Sequence, residues 1–363
     1  GFYLPFEQDY TVEGFSTVTY EGNGATQYIG GTGFQPDFTW IKDRVGTDNH
    51  HLFDAIRGTN QRLMSNSSAA ENTESNALNS FDTDGFTLGS NTGVNANTEN
   101  HVAWNWDMGG TTASNTNGSI TSSVRANTTY GQSIVSYTGN GTAGATVGHG
   151  LASTPNMILL KERSDVSSWM VYHSTLGATK YLNLNATTAV GTSTTPWNDT
   201  APTSSVFSLG TSGGTNQSSQ TYIAYCFSDV ANYSKFGSYS GNGNSTGPVV
   251  TLGFSPAFVM IKRTDSSASG GWNIWDNVRD NTNPINTILE AHDTASEVSN
   301  ANYNINFTST GFEVLGTYNG INNASGNYIY AAFADTREYA YWYDQSGNNN
   351  DWTSNDLTES DVM

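Results

Sequence analysis

The feature that most constrains the fold of this 363-residue chain is an internal repeat with three copies. One marker is an aromatic residue followed by x-Gly-Asn-Gly, and it occurs at Tyr20, Tyr137 and Tyr239. A second marker is a proline that precedes an apolar run ending in lysine, and it occurs at Pro36, Pro155 and Pro256. The lysines Lys42, Lys161 and Lys262 repeat the intervals between the prolines. Two independent markers with one offset predict three copies of one structural unit.

Each copy ends in an aromatic strand-like run, at residues 101–106, 222–227 and 328–333. From these runs and the two markers we predict the following organisation: residues 1–13 as a segment entering from a preceding module, 14–108 as the first repeat, 109–130 as a Gly-, Ser-, Thr- and Asn-rich linker, 131–230 as the second repeat, 231–335 as the third repeat and 336–363 as a segment leading to a following module.

The periodicity within a repeat is that of β-strands. Phe38, Trp40 and Lys42 alternate with Thr39 and Ile41, and short apolar runs recur between turn residues. The predicted fold class is therefore all-β, with three tandem antiparallel β-sandwich units of jelly-roll type. Three separately folded units joined in tandem would form an elongated molecule, and this is the overall shape that we predict.

Composition excludes several classes of function. The chain has 13 basic and 32 acidic residues, a formal charge of −19, whereas nucleic-acid binding rests on Lys and Arg contacts with phosphate. No apolar run approaches the 18 or so residues of a membrane helix. The one cysteine, Cys226, excludes an internal disulfide framework and any multi-cysteine metal cluster. We expect no cofactor, no nucleic-acid partner and no membrane insertion.

Aromatic side chains are the best candidates for ligand binding. Flat rings can stack on sugars, and neighbouring Asn and Asp side chains can bond the hydroxyl groups. The candidate glycan-binding residues are Trp169, Tyr172, Trp197, Trp272 and Trp275. The alternative for Trp169 and Trp272 is that they pack inside the sandwich. For Trp197, in a turn, both interpretations stay open.

The chemical motifs for metals and catalysis are weak. Asp82 and Asp84 could contribute to a calcium site, because hard cations favour carboxylate oxygens, but Asp-Gly between two strands is also an ordinary hairpin turn. Glu162 and Glu290 are the only glutamates in apolar context, and neither recurs in another repeat. We therefore assign no catalytic residue and expect a protein that is not an enzyme.

The repeated basic residues allow two interpretations, a row of anion sites or structural ion pairs reused with the fold. They are Lys42 with Arg44, Lys161 with Arg163, Lys262 with Arg263, and the pair Arg57 and Arg279. Positions shared by every copy serve folding more often than binding, so the structural interpretation is favoured.

Several segments resemble virion proteins of tailed bacteriophages, notably marine ones. They are residues 36–42 (PDFTWIK), 52–58 (LFDAIRG), 80–89 (SFDTDGFTLG), 144–151 (GATVGHGL), 233–239 (YSKFGSY) and 348–353 (NNNDWT). The resemblance is to tail-fibre-like or surface-fibre proteins with tandem concanavalin A-like, lectin-like β-sandwich units. It implies a place on the virion surface, outside cells, with other virion proteins and host cell-surface glycan as partners, in a homo-oligomer.

Three functions follow from these observations. The leading hypothesis is a non-enzymatic fibre or surface protein that attaches the virion to host glycan. The second is a structural protein that decorates a capsid or forms a fibre shaft. The third is a polysaccharide depolymerase on the same scaffold, which would need two convergent carboxyl groups.

Overall fold

The computed structural model describes residues 14–335. The predicted entering and leaving segments, 1–13 and 336–363, lie outside the described residues. The all-β class is confirmed: the described chain consists of antiparallel sheets, with single-turn helices and one 3₁₀ turn between strands.

The strands are short, and in each repeat a single-turn helix precedes the closing strand. The first repeat contains β1 Phe15–Glu21, β2 Gln27–Gly30, β3 Phe38–Asp43, β4 His51–Asp54, β5 Gln61–Arg62, β6 Asn72–Thr73, β7 Leu78–Asp82, β8 Gly85–Leu88, α1 Thr92–Asn95 and β9 Asn100–Trp106. The next stretch contains β10 Ala113–Asn115, β11 Ser122–Asn127, β12 Gln132–Thr138, β13 Ala145–Gly148, β14 Met157–Glu162, β15 Met170–His173, β16 Lys180–Tyr181, β17 Gly191–Thr192, β18 Val206–Leu209, α2 Gly213–Asn216 and β19 Thr221–Phe227. The last contains β20 Ser234–Ser240, β21 Val249–Thr251, β22 Phe258–Arg263, β23 Trp272–Asp276, β24 Thr287–Glu290, β25 Val298–Ser299, the 3₁₀ turn Ala301–Tyr303, β26 Ile305–Thr308, β27 Gly311–Val314, α3 Asn319–Asn322 and β28 Asn327–Phe333.

Three main sheets share one strand order. Sheet A has the order β1-β9-β3-β4, sheet B contains β12-β19-β14-β15, and sheet C contains β20-β28-β22-β23. The register is also shared, because the first residue of the proline-led strand lies opposite the last aromatic residue of the closing strand in every sheet. These pairs are Phe38 with Trp106, Met157 with Phe227, and Phe258 with Phe333. Pro36, Pro155 and Pro256 each stand two residues before their strand, as the repeat predicts.

The Gly-Asn-Gly marker has a structural cause. In each repeat, its asparagine donates its backbone N–H to the side-chain oxygen of a buried asparagine that ends the single-turn helix. The three pairs are Asn23 with Asn95, Asn140 with Asn216, and Asn242 with Asn322, at 2.9, 2.9 and 2.8 Å. The pairing ties the turn after the first strand to the helix that precedes the closing strand. The three helix asparagines were not singled out from the sequence.

The segment expected to be a linker contributes to a sheet. Within residues 109–130, β10 and β11 pair antiparallel and extend sheet B along the edge strand β12. Gly, Ser, Thr and Asn are common on solvated strand faces as well as in loops, so composition alone did not distinguish the two.

Each main sheet is buried on both faces. The outer face of sheet A packs against the small sheet β2-β8-β7 through Ile41, Phe53 and Phe86. Sheets B and C pack in the same way against β13-β18 and β21-β27-β26. The inner faces of all three main sheets share one central core, which includes Phe38 and Trp40, Met157 and Leu159, and Phe258 and Met260.

The expected elongated molecule is therefore wrong, because the three repeats close around a common centre. Three aromatic rings from the closing strands meet there. The ring centroid of Trp106 lies 6.2 Å from Phe227 and 5.7 Å from Phe333, and those of Phe227 and Phe333 lie 5.5 Å apart. The sheets are thus arranged like the subunits of a trimer, within one chain. Trp40, Trp106, Phe227, Phe258 and Phe333 are all buried, as their recurrence predicts.

Candidate functional site

The five aromatic candidates for glycan binding lie inside the protein, with exposures of 0–3%. The indole N–H groups of Trp169 and Trp272 donate to the backbone carbonyls of Met64 and Asn183 in a neighbouring repeat, both at 2.9 Å. Trp275 donates to the carbonyl of Tyr303 at 3.0 Å within its own repeat. Because these rings present no face to solvent in this structure, they offer a sugar no surface to stack on.

The remaining two aromatic candidates pack against each other. The rings of Tyr172 and Trp197 meet edge to face, with centroids 5.8 Å apart, in the outer core of sheet B. The turn around Trp197 folds inward, so the inward-packing interpretation describes this residue as well. Its indole nitrogen is buried without a hydrogen-bond partner among residues 14–335.

The weak calcium candidates Asp82 and Asp84 form the predicted hairpin between β7 and β8. The Asp82 carboxylate accepts a hydrogen bond from the Thr87 hydroxyl at 2.7 Å. The Asp84 carboxylate accepts from the backbone N–H of Gly33 at 2.5 Å and of Gly31 at 3.3 Å. Both carboxylates therefore stabilise the turn and its neighbouring loop through hydrogen bonds.

The three seams between main sheets form a closed ring of contacts. In the A–B seam, the N–H of Glu71 donates to the carbonyl of Arg163. In the B–C seam, the N–H of Val190 donates to the carbonyl of Thr264, and in the C–A seam the N–H of Glu297 donates to that of Arg44. The distances are 2.8, 2.8 and 2.9 Å. Each repeat thus donates to the next, and the third donates back to the first.

Two of the three seams each contain a buried network of charged residues. In the A–B seam, Asp54 pairs with Arg57 and accepts a hydrogen bond from the Tyr225 hydroxyl at 2.7 Å, while Glu71 bridges Arg57 and Arg163. In the C–A seam the equivalent residues are Asp276, Arg279, Trp104, Glu297 and Arg44. The structural interpretation of these arginines is supported, since their guanidinium groups hold neighbouring sheets together.

The B–C seam has no such pairing of arginine with carboxylate among the described residues, and Lys262 of sheet C instead donates across it to the carbonyls of Thr187 and Thr188 at 3.2 and 3.0 Å. His173 stands where Asp54 and Asp276 stand in the other repeats, and its ring nitrogens lie 2.9 Å from the Thr175 hydroxyl and 3.3 Å from the carbonyl of Tyr330. Burial lowers the pKa of His173 to about 4. The ring is therefore neutral at neutral pH, which suits a seam that lacks a carboxylate at this position.

Because His173 is buried in its neutral form, we expect the protein to lose stability in acid. Between pH 6.5, the ordinary pKa of histidine, and pH 4, the unfolded chain takes up a proton that the folded chain does not, so stability falls as the pH falls. One pKa unit corresponds to about 1.4 kcal/mol, so this group contributes about 3 kcal/mol to the fall. Urea unfolding at pH 7 and pH 4.5 should show a drop about 2–3 kcal/mol smaller for His173→Gln than for the parent. Equal drops in the two proteins would contradict the assignment.

A group of potential metal ligands was missed in the sequence. One side-chain ligand atom each of Glu290, His292 and Asp293 lies within 4.8 Å of the others. Burial, and then the charge of Asp293, raise the pKa of Glu290. The backbone N–H of Trp272 lies 3.3 Å from Nδ1 of His292. Only Glu290 was singled out from the sequence, because it is a glutamate in an apolar context.

A second such group lies at the end of the outer core of sheet A. Carboxylate oxygens of Asp43, Asp48 and Glu99 lie within 4.8 Å of one another. Lys42 lies beside them and donates to the carbonyl of Gly46 at 3.2 Å. Burial lowers the pKa of Lys42, and the negative charges of Asp43 and Asp48 act against that shift.

The fold and these contacts define a class of protein: a single chain whose three recurring antiparallel sheets close around one apolar core. The chain belongs to the family described as domain of unknown function DUF7483, whose sequence profile matches residues 11–337. That match extends over every described strand, so the three sheets fall within one family domain. No curated protein and no solved structure shows significant similarity to the chain. Among the described residues, no helix is long and apolar enough to span a membrane.

Proposed function

We propose that this protein is a non-enzymatic surface or fibre protein of a phage particle that attaches to host-surface glycan. In this proposal, each main sheet and its small sheet form one concanavalin A-like β-sandwich, and the three sandwiches act as one rigid block. The two-layer packing and the shared strand order support the sandwich assignment. The phage assignment is supported by the sequence resemblance.

The observation that carries the proposal is the closed ring of seams. Arg163 and Arg44 form ion pairs with Glu71 and Glu297 of a neighbouring repeat, so these arginines join the repeats to one another. Arg57 also donates to the Tyr225 hydroxyl of the next repeat at 3.1 Å. The result is a block that holds three sets of outward loops at fixed spacing. Fixed spacing favours attachment to a repeating polymer, because a second contact becomes intramolecular once the first has formed. Assembly as a homo-oligomer on a virion would increase this gain.

Two measurements test the proposal. Cryo-electron microscopy of the native particle should place the chain on the virion surface, in contact with other virion proteins. Purified protein should bind extracted host polysaccharide without shortening it. A surface location without glycan binding would overturn the attachment function and favour the structural alternative, a capsid-decorating or shaft protein.

A depolymerase is the second candidate, and one observation favours it. A carboxylate oxygen of Glu290 lies within 4.8 Å of one of Asp293, and burial raises the pKa of Glu290. Retaining glycosidases use two carboxyl groups about 5–5.5 Å apart, one of them an acid with a raised pKa. Shortening of the polysaccharide that is lost in Glu290→Gln but kept in Glu162→Gln would establish this function. Glu162 is a matched control, since it is a buried glutamate in another sheet.

A further inference from the structure

The third repeat has a surface pocket at the connection from β23 to β24. This connection is longer than the equivalent connections from β4 to β5 and from β15 to β16. The pocket has a volume of about 210 Å³. Pockets for drug-sized ligands typically measure about 300–1,000 Å³, so this one suits a single ring of a larger ligand.

The walls of the pocket are held by hydrogen bonds to the rest of the repeat. The side-chain amide of Asn283 donates to the carbonyl of Phe307 at 2.7 Å, and its oxygen accepts from the N–H of Phe307 at 3.0 Å. The backbone of Ile285 pairs with Ile305 in both directions, at 2.8 and 2.9 Å. The loop is therefore fixed to β26, and the pocket exists before any ligand arrives, which lowers the entropic cost of binding.

The polar groups that line the pocket are of two kinds. Asp280 is already satisfied: its carboxylate accepts from the N–H and hydroxyl of Thr282 at 3.1 and 2.6 Å, and from the N–H of Asn286 at 3.0 Å. The side chains of Asn277, Asn281 and Ser255 line the same pocket and make no hydrogen bond within residues 14–335. Two amides and one hydroxyl are thus free to bond a ligand.

The remaining wall is apolar. Pro256, Ile285 and Phe307 lie on this side, and all three are largely buried. A pyranose ring has a C–H face that packs on apolar carbon and hydroxyl groups that bond amides, so it matches both sides of such a pocket.

The charge of the pocket selects a neutral ligand. The described residues that line it include no lysine or arginine. Burial alone would raise the pKa of Asp280, but hydrogen bonds from the Thr282 hydroxyl and from the N–H groups of Asn286 and Thr282 hold it below its usual value. A carboxylate that is ionised at neutral pH repels uronic and sialic acids, and the lining offers no cation to offset that repulsion.

We infer that this pocket, lined by Asn277, Asn281 and Phe307, binds one neutral pyranose residue of a glycan. The inference rests on the proposed attachment function and locates it in the third repeat. Such a site differs from an aromatic platform, since its stacking surface is small and its specificity comes from amide groups.

The test uses the full chain and three monosaccharides: glucose, N-acetylglucosamine and glucuronic acid. Ligand-observed NMR should detect binding of at least one neutral sugar and none of glucuronic acid. Asn277→Ala and Asn281→Ala should each weaken that binding about tenfold, the effect of one lost hydrogen bond. Both asparagines are exposed and their side chains are unbonded within the described chain, so the variants should fold normally. Asn60→Ala, an exposed asparagine in the equivalent turn of the first repeat, is the matched control and should not alter binding.

The outcomes separate the site from the function. If the protein binds host polysaccharide but the double variant Asn277→Ala/Asn281→Ala binds it equally well, the pocket is rejected and the attachment function stands. Preferential binding of glucuronic acid would also reject the neutral-sugar assignment. If the parent protein binds neither polysaccharide nor any monosaccharide, the attachment function fails together with its site.

Discussion

Replacing Phe333 by alanine should lower the free energy of unfolding by about 3–5 kcal/mol, the usual cost of removing a large aromatic side chain from a core. Phe333 is 3% exposed and contacts rings from all three sheets, including Phe15, Trp106 and Phe227. The cavity left behind would lie where the sheets meet, so none of them could fill it by a local shift. Urea unfolding followed by tryptophan fluorescence measures the effect.

The control for this prediction is an aromatic residue at the surface. Tyr28 is 53% exposed, and its removal should change stability by less than about 1 kcal/mol. A single unfolding transition is expected for both variants, because the central core belongs to all three repeats. A Phe333→Ala protein in which one repeat unfolds separately while the other two stay folded would contradict the shared core.

Replacing Asp54 by alanine should lower the free energy of unfolding by about 3–5 kcal/mol, because it breaks a buried ion pair. Its carboxylate is fully buried, and it pairs with the buried guanidinium of Arg57 and accepts a hydrogen bond from Tyr225 in sheet B. Removing the carboxylate leaves a buried positive charge with only Glu71 as a counter-charge among the described residues. The loss is measured by urea unfolding at pH 7.

The B–C seam suggests the control for this second prediction. The positions equivalent to Asp54 and Arg57 are His173 and Leu176 there, so the fold tolerates a seam without this ion pair. The double variant Asp54→Ala/Arg57→Leu should therefore recover part of the stability that the single variant loses. A double variant less stable than Asp54→Ala would show that Arg57 stabilises the seam independently of its partner.

Much of the fold could be predicted from the sequence, because the repeats mark it. The prolines and the closing aromatic runs located the strands, and their common offset predicted the shared strand order. The closed arrangement was not predicted, although one signal was present. The run Met157, Ile158, Leu159 and Leu160 is apolar at every position, which is typical of a strand covered on both faces. An isolated sandwich with one solvated face would show polar residues at alternate positions.

The candidate sites were harder to predict, for a physical reason. Large aromatic residues at recurring positions, such as Trp169 and Trp272, were singled out for their stacking surface, but the same surface fills the seams between sheets. The pocket lined by Asn277 and Asn281 depends on a loop in one repeat and on how that loop folds back onto β26. Asparagine-rich turns occur throughout this chain, so nothing in the sequence distinguished this one.

The bond between the last repeat and the first has a consequence for how the protein is made. Arg44 and Glu297, which join sheets C and A, are 253 positions apart in the chain. During synthesis, sheet A leaves the ribosome long before sheet C exists, so the inner surface around Trp40 faces water until sheet C has been made. Such late, distant contacts slow folding and leave apolar surface open to aggregation. Production of this protein in a foreign host should therefore depend on chaperones that protect nascent chains.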